Sequence, residues 1–270
     1  MLNESLTRML ATYNKFRLEP GNDLLPHPHE IGYVEIVRDI VKPMLPTSGF
    51  TMSWFEDLLH NGPGQNDPLF TYLAEEATMD EMKWFLSQEA AGEAGFDDLV
   101  AMTQVKMPTK AKLEMARNYW DEMGQGSEKL MHGKMLEDIV NYLELKPTME
   151  GTVSESLQLA NLMTAMAVHR RYAFLAVGAL GVIEMTAPSR VTLVDKGLAR
   201  LGVPKSARRY FTLHGTLDVK HSKEWNREVI KTLGPDRLPE ICEGAYIRLW
   251  AGLQCFERYR SELGIQSPKV

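Results

Sequence analysis

The segment Phe211 to His221, FTLHGTLDVKH, sets His214, Asp218 and His221 in a His-x3-Asp-x2-His array. At about 100° per residue on an α-helix, the three lie within roughly 60° of one another. Two imidazoles and a carboxylate on one face suit a first-row transition metal such as iron, manganese or zinc. A mononuclear iron site of the two-histidine, one-carboxylate kind needs only these three residues. It leaves several other residues of ligand type unexplained.

The first of those lie in Tyr119 to His132, YWDEMGQGSEKLMH. Glu122 and His132 are ten residues apart, about 15 Å of rise on an unbroken helix. Gly124 and Gly126 lie between them, so a distorted turn could shorten that distance. Glu128 and His132, at i and i+4, share a face without distortion, and geometry alone slightly favours Glu128 as the partner of His132. Glu184 ends the apolar run FLAVGALGVIE. A carboxylate on a buried helix is costly unless it is paired or bound to a cation; the alternative is that the helix surfaces there, ahead of Pro188. Glu89 and Glu93, in WFLSQEAAGEAGFDD, also stand at i and i+4. Gly95 leaves Glu93 near a helix end, which favours Glu89 by a small margin. Carboxylates on three helices and histidines on two match the way helical bundles build di-iron sites. The ferritin-like signature of paired Glu-x-x-His motifs is absent from the sequence.

The elements that must carry these residues read as helices throughout. Apolar residues recur at helical spacing from Glu30 to Lys42, with Pro43 and Pro46 ending the segment. Thr78 and Glu81 have capping-box spacing and open a helix that Gly95 stops. Helical patterns follow over 96–103, 109–122, 128–143, 154–170 and 172–186, where Pro188 is expected to act as the stop. Three more, over 190–201, 222–233 and 239–263, complete the pattern, and Pro204 suits the first turn of the helix that leads to His214. No alternating strand pattern, internal repeat or phosphate-binding glycine motif appears. The expectation is an all-α protein.

Composition narrows the classes further. A net charge of −6 without a basic cluster gives no support for nucleic-acid binding. Two cysteines are too few for a disulfide framework, so a reduced, cytoplasmic protein is expected. The N-terminus has no continuous apolar core of a signal peptide. The longest apolar run, Tyr172 to Ile183, is too short to span a bilayer and reads as a core helix, so no membrane partner is expected. The sequence sets no oligomeric state, although helical surfaces of this kind are compatible with a homodimer.

Taken in order, DEMGQGSEKLMH, GVIEM and HGTLDVKH resemble the haem-oxygenase-like di-iron oxidases and oxygenases. The likeness is greatest to the branch that contains the N-oxygenase domain of the streptozotocin-pathway enzyme. The resemblance covers roughly residues 78–260. It implies a haem-oxygenase-like helical bundle over 51–270, with residues 1–50 as an N-terminal helical extension packed on it. It implies two non-haem iron ions and O2 as co-substrate. The ligands it implies are Glu122, His132, Glu184, His214, Asp218 and His221, with a seventh carboxylate at Glu89 or Glu93. On this point the likeness overrides the geometric preference for Glu128. The activity it implies is oxidation of a small amino-acid-like metabolite, first an amine or guanidine nitrogen. Oxidative C–C cleavage or desaturation of an amino or fatty acid is the alternative. A non-catalytic helical protein with one structural metal is the reading from another class.

Overall fold

A computed structural model describes residues 3–92 and 95–266, apart from the side chains of residues 216 and 218–220. Among the described residues every regular element is helical and no strand occurs. The chain runs through α1 (Glu4–Leu18), α2 (Pro28–Val41), α3 (Met52–Asn61), α4 (Pro68–Glu75), α5 (Met79–Gly92) and α6 (Phe96–Thr103). It continues through α7 (Thr109–Glu122), α8 (His132–Tyr142), α9 (Ser154–Val168), α10 (Ala173–Arg200) and α11 (Arg209–Glu224). A π-helical turn over Trp225–Ile230 leads into the short α12 (Lys231–Leu233), and α13 (Leu238–Leu263) closes the chain. The all-α expectation holds, and local chemistry explains several boundaries. Glu81 Oε2 accepts from the Thr78 backbone N–H at 2.7 Å, while Thr78 Oγ1 accepts from the Glu81 N–H at 3.3 Å. This reciprocal capping box starts α5.

The bundle is organised on α10, which packs along both α11 and α13. Its N-terminal half is buried on nearly all sides, from Leu175 through Val182. A helix apolar all round belongs in the middle of a core. The segment Arg170–Arg200 is long and apolar enough to cross a membrane, but 72% of its apolar window is buried within the protein. The contact with α13 is unusually close. A Cβ on Gly178 would stand 1.8 Å from the Ile241 carbonyl oxygen, and one on Gly244 would stand 2.0 Å from that of Leu175. The two glycines let one backbone rest directly on the other.

Pro188 does not end α10, contrary to the sequence expectation. The helix runs twelve residues beyond it, to Arg200. A proline ring removes one helical N–H, here the donor to the Glu184 carbonyl. Packing holds the helix together around that gap, and Thr192 Oγ1 donates to the Pro188 carbonyl at 2.7 Å. The segments read separately over 172–186 and 190–201 are therefore one helix.

The N-terminal helices are tied to the bundle by buried polar contacts. Asn161 Nδ2 of α9 donates to the Thr7 carbonyl at 3.0 Å, and Asn14 Nδ2 donates to Asn161 Oδ1 at 3.3 Å. Glu30 pairs at once with Arg17 at 2.9 Å and His169 at 2.7 Å.

The α10–α13 contact yields a stability test. Gly178→Ala and Gly244→Ala should each lower the unfolding free energy by about 1–3 kcal/mol, since backbone cannot yield as a side chain does. Gly32→Ala, in α2 with nothing within 4 Å of the added methyl, should be neutral or stabilising by up to about 1 kcal/mol. Urea unfolding of the three variants measures the difference.

Candidate metal centre

The centre begins where α7 ends. Gly124, Gln125 and Gly126 all take positive φ, at +60°, +54° and +86°. Glycine adopts such angles without steric cost. At Gly124 there is a second reason: a Cβ would lie 2.4 Å from the Leu130 carbonyl carbon and 2.5 Å from the Met131 nitrogen. The chain therefore folds back on itself, makes a 3₁₀ turn over Glu128–Leu130, and starts α8 at His132. Glu122 and His132, far apart on a continuous helix, end with Oε2 and Nδ1 at 2.7 Å. The helical pattern read over 128–143 thus begins four residues late. Glu128 lies in the turn, is exposed, and does not share a helix face with His132.

Four helices then converge. Glu122, His132 and His214 bring ligand atoms within 4.8 Å of one another, and so do Glu122, Glu184 and His221. Glu122 belongs to both groups. His214 and His221 are seven residues apart on α11, two turns or about 10 Å of rise, which explains why each joins a different group. All five side chains are at most 9% exposed. Glu184 is buried on α10 rather than surfacing before Pro188. Asp218 lies on α11 between the two histidines, with its side chain outside the described set. Glu93 lies outside the described residues. Glu89 is described and stands in neither ligand group; the Tyr259 hydroxyl of α13 donates to its Oε1 at 3.0 Å.

Neighbouring groups orient the ligands. His214 Nδ1 donates to the Tyr210 carbonyl at 2.7 Å, because a carbonyl can only accept, so Nε2 is its free ring nitrogen. His221 Nε2 meets Asp121 Oδ2 at 3.1 Å and turns Nδ1 toward Glu184 Oε2 at 3.5 Å. Asn118 Nδ2 donates to Glu184 Oε1 at 2.6 Å. Such partners fix tautomer and ring direction around metals. The sequence reading passed over Asp121, Asn118 and Tyr210. Asn118 and Glu122 on α7, and Tyr210 and His214 on α11, stand at i and i+4, spacings that could have suggested shared faces.

The ring nitrogens test whether the donor set fits a cation. His132 Nδ1 and His221 Nδ1 are buried and make no hydrogen bond. Both nonetheless face carboxylate oxygens. Buried polar atoms almost always have a partner, and a metal ion is one that both a nitrogen lone pair and a carboxylate can share. Two histidines, two glutamates and a third imidazole suit iron, manganese or zinc.

The electrostatics agree. Burial, with the charge of His221 nearby, pushes His132 down to about 4. Burial and the neighbouring His132 push His214 down to about 4 as well. Both are then neutral, the form that binds metal. At His221 burial is outweighed by Glu184 and Asp121, which push it up to about 9. Without a cation, the carboxylates draw a proton there instead.

A family model for iron-containing redox enzymes matches residues 83–253. That span includes Glu122, His132, Glu184, His214, Asp218 and His221. Two crystal structures of a CADD-like protein of unknown function from Nostoc punctiforme PCC 73102 share the fold. The first is 15% identical with a TM-score of 0.59, covering 87% of this chain and 99% of that one. The second is 16% identical with a TM-score of 0.56, covering 87% and 96%. At these identities the likeness speaks for the fold alone. No curated protein matches the chain.

The pKa directions predict how the metal-free chain responds to pH. An unfolded histidine titrates near pH 6.5. Below that, the unfolded chain binds protons that folded His132 and His214 refuse, so stability should fall as pH drops from about 6.5 toward 4. His221 has the opposite sign: its contribution is complete below about 6.5 and is lost as pH rises through about 9. Urea unfolding of the metal-free chain across pH 4–10 should show its maximum near pH 6.5. NMR of histidine-labelled protein should find one imidazolium among the three at pH 7.5.

Proposed function

The chain belongs to the iron-containing redox enzyme family, and on that premise we propose that it is a non-haem di-iron oxidoreductase that uses O2. Glu122, His132 and His214 would hold one ion; Glu122, Glu184 and His221 would hold the other. Asp218, between the histidines of α11, is proposed as a further ligand. The observation that carries this reading is the membership of Glu122 in both ligand groups. A single structural metal would use one group and leave the rest, either two buried neutral imidazoles or the buried Glu184–His221 pair, with no ion to serve.

Iron held by these residues would supply the redox chemistry that activates O2. The chain's own residues do the rest. Asp121 and the Tyr210 carbonyl hold His221 and His214 with one ring nitrogen each turned inward. Asn118 holds Glu184 by one oxygen and leaves the other toward His221. A cavity of about 160 Å³ borders Glu122, His132, Glu184 and His214, and its other walls include Leu99, Leu136, Leu159 and Ile183. The apolar side chains in these walls would limit contact with bulk water, which strengthens charge interactions inside.

The substrate proposed is a small amino-acid-like metabolite, with N-oxygenation of an amine or guanidine as the first reading, on the likeness to the N-oxygenase branch. The apolar walls favour a second: C–C cleavage or desaturation of an amino or fatty acid, in which the reacting atoms are carbon.

Anaerobic loading should bind two Fe(II) per chain, followed by O2 consumption. Glu122→Ala should reduce binding below one equivalent and abolish O2 uptake, whereas Glu128→Ala should leave both nearly unchanged. Saturation at one tightly held zinc, with no O2 uptake by the iron-loaded protein, would favour the structural-metal reading and sink this one.

A further inference from the structure

A second cavity, of about 170 Å³, adjoins the one at the metal centre and shares Leu136, Leu159, Ile183, Ala187 and Val191 as walls. Most of its remaining lining is apolar, including Phe70, Phe85 and Phe256. The charged exceptions are Glu89 and Arg190, with Arg248 bordering both cavities. Glu89 is exposed and Arg190 half-buried, and both border this space.

Arg190 is the anomaly. Among the described residues it makes no hydrogen bond and no ion pair. Its guanidinium lies over two rings, 6.0 Å from the centroid of Phe70 and 5.7 Å from that of Phe256. Ring faces return only part of what a half-buried cation loses on leaving water. Glu89 is the near carboxylate, but its Oε1 accepts from the Tyr259 hydroxyl, and no hydrogen bond joins it to Arg190. Burial, reinforced by the like charge of Arg248, pushes Arg190 down to about 10, with Glu89 opposing. It stays charged at neutral pH. The site is therefore a guanidinium facing a cavity with apolar walls, without an anion hydrogen-bonded to it.

We infer that Arg190 receives the carboxylate of an organic substrate whose apolar body lies along Leu159, Ile183 and Val191 and whose far end reaches the Glu122–Glu184 cluster. The inference rests on the reading of that cluster as the reacting end. A guanidinium meets a carboxylate with two parallel hydrogen bonds, and the pair fixes orientation as well as affinity. Arg190 stands six residues beyond Glu184 on α10, about 9 Å of rise. The substrate class is thus a monocarboxylate with an apolar spacer of medium length, bound with its carboxylate away from the metal. Arg190 is a specificity-determining residue on this account and takes no part in the chemical step.

The test uses the full chain, both metal-free and loaded with Fe(II), titrated calorimetrically with octanoate, octan-1-ol and octylamine. Octanoate should bind at least about 10-fold more tightly than the other two in both forms. Arg190→Gln should bring octanoate to the level of octanol while leaving that of octanol and the Fe(II) stoichiometry unchanged. Should that variant not fold, Arg190→Lys carries the test: it keeps the charge and loses the fork, so octanoate should weaken by about 3-fold or more. Equal binding of octanoate and octanol, tighter binding of octylamine, or octanoate affinity indifferent to either substitution overturns the inference. So does octanoate binding only to the iron-loaded chain, which would put the carboxylate on the metal. Because the metal-free titration does not depend on iron, a chain that binds one iron or none yet holds octanoate through Arg190 refutes the di-iron reading alone.

Discussion

Carboxylates gathered in a dry interior repel one another, and the centre of this bundle is arranged around that repulsion. Glu122 and Glu184 are buried within reach of the same histidine, His221, and Asp121 approaches that ring from its other side. Buried charge of one sign is tolerated only when protons, hydrogen bonds or cations offset it. In the metal-free state the offset is a proton on His221, whose pKa rises to about 9. His132 and His214 lie slightly farther along the cluster and are pushed the other way, to about 4. Bound cations reverse that local logic. A cation held by these groups would take over the compensation and let all three imidazoles stay neutral.

That cluster needs a scaffold that resists the repulsion, and α10 provides it. Its residues from Leu175 to Val182 are buried throughout, and Gly178 and Gly244 bring it into backbone contact with α13. The next residues on the same helix deliver Glu184 to the centre and, past Pro188, Arg190 to the adjoining cavity. One helix therefore sets the distance between Glu184 and the Arg190 guanidinium. Loops could not hold such a separation with the same accuracy.

Much of the centre was visible in linear spacing. His214 and His221 could be put on one helix face because an α-helix has a fixed period, and α11 bears this out. The capping box at Thr78 and Glu81 could be read because its partners lie three residues apart. Glu184 stood out as a carboxylate at the end of an apolar run. Other features depended on what happens between distant segments. Helix geometry preferred Glu128 as the partner of His132, whereas the left-handed turn at Gly124–Gly126 places Glu122 beside it. Pro188 reads as a stop by its missing N–H, yet packing on both sides carries the helix through. Asp121 and Arg190 carry no local signal, and Asn118 carries only its i, i+4 spacing from Glu122, since each matters through groups on other helices.

By itself the sequence determined the helical class, the helix that bears two histidines and an aspartate on one face, and the abundance of carboxylates that calls for a cation. These follow from the period of the helix and the cost of burying charge, and both act over a few residues. Only the tertiary structure decided that Glu122 joins two ligand groups, that Glu89 stands with Tyr259 and Arg190 instead of with the histidines, and that two cavities adjoin. Those outcomes depend on a backbone reversal over three residues and on how closely two helices approach. The former turns on φ angles, and the latter on the absence of two methyl groups, neither of which hydrophobic periodicity encodes.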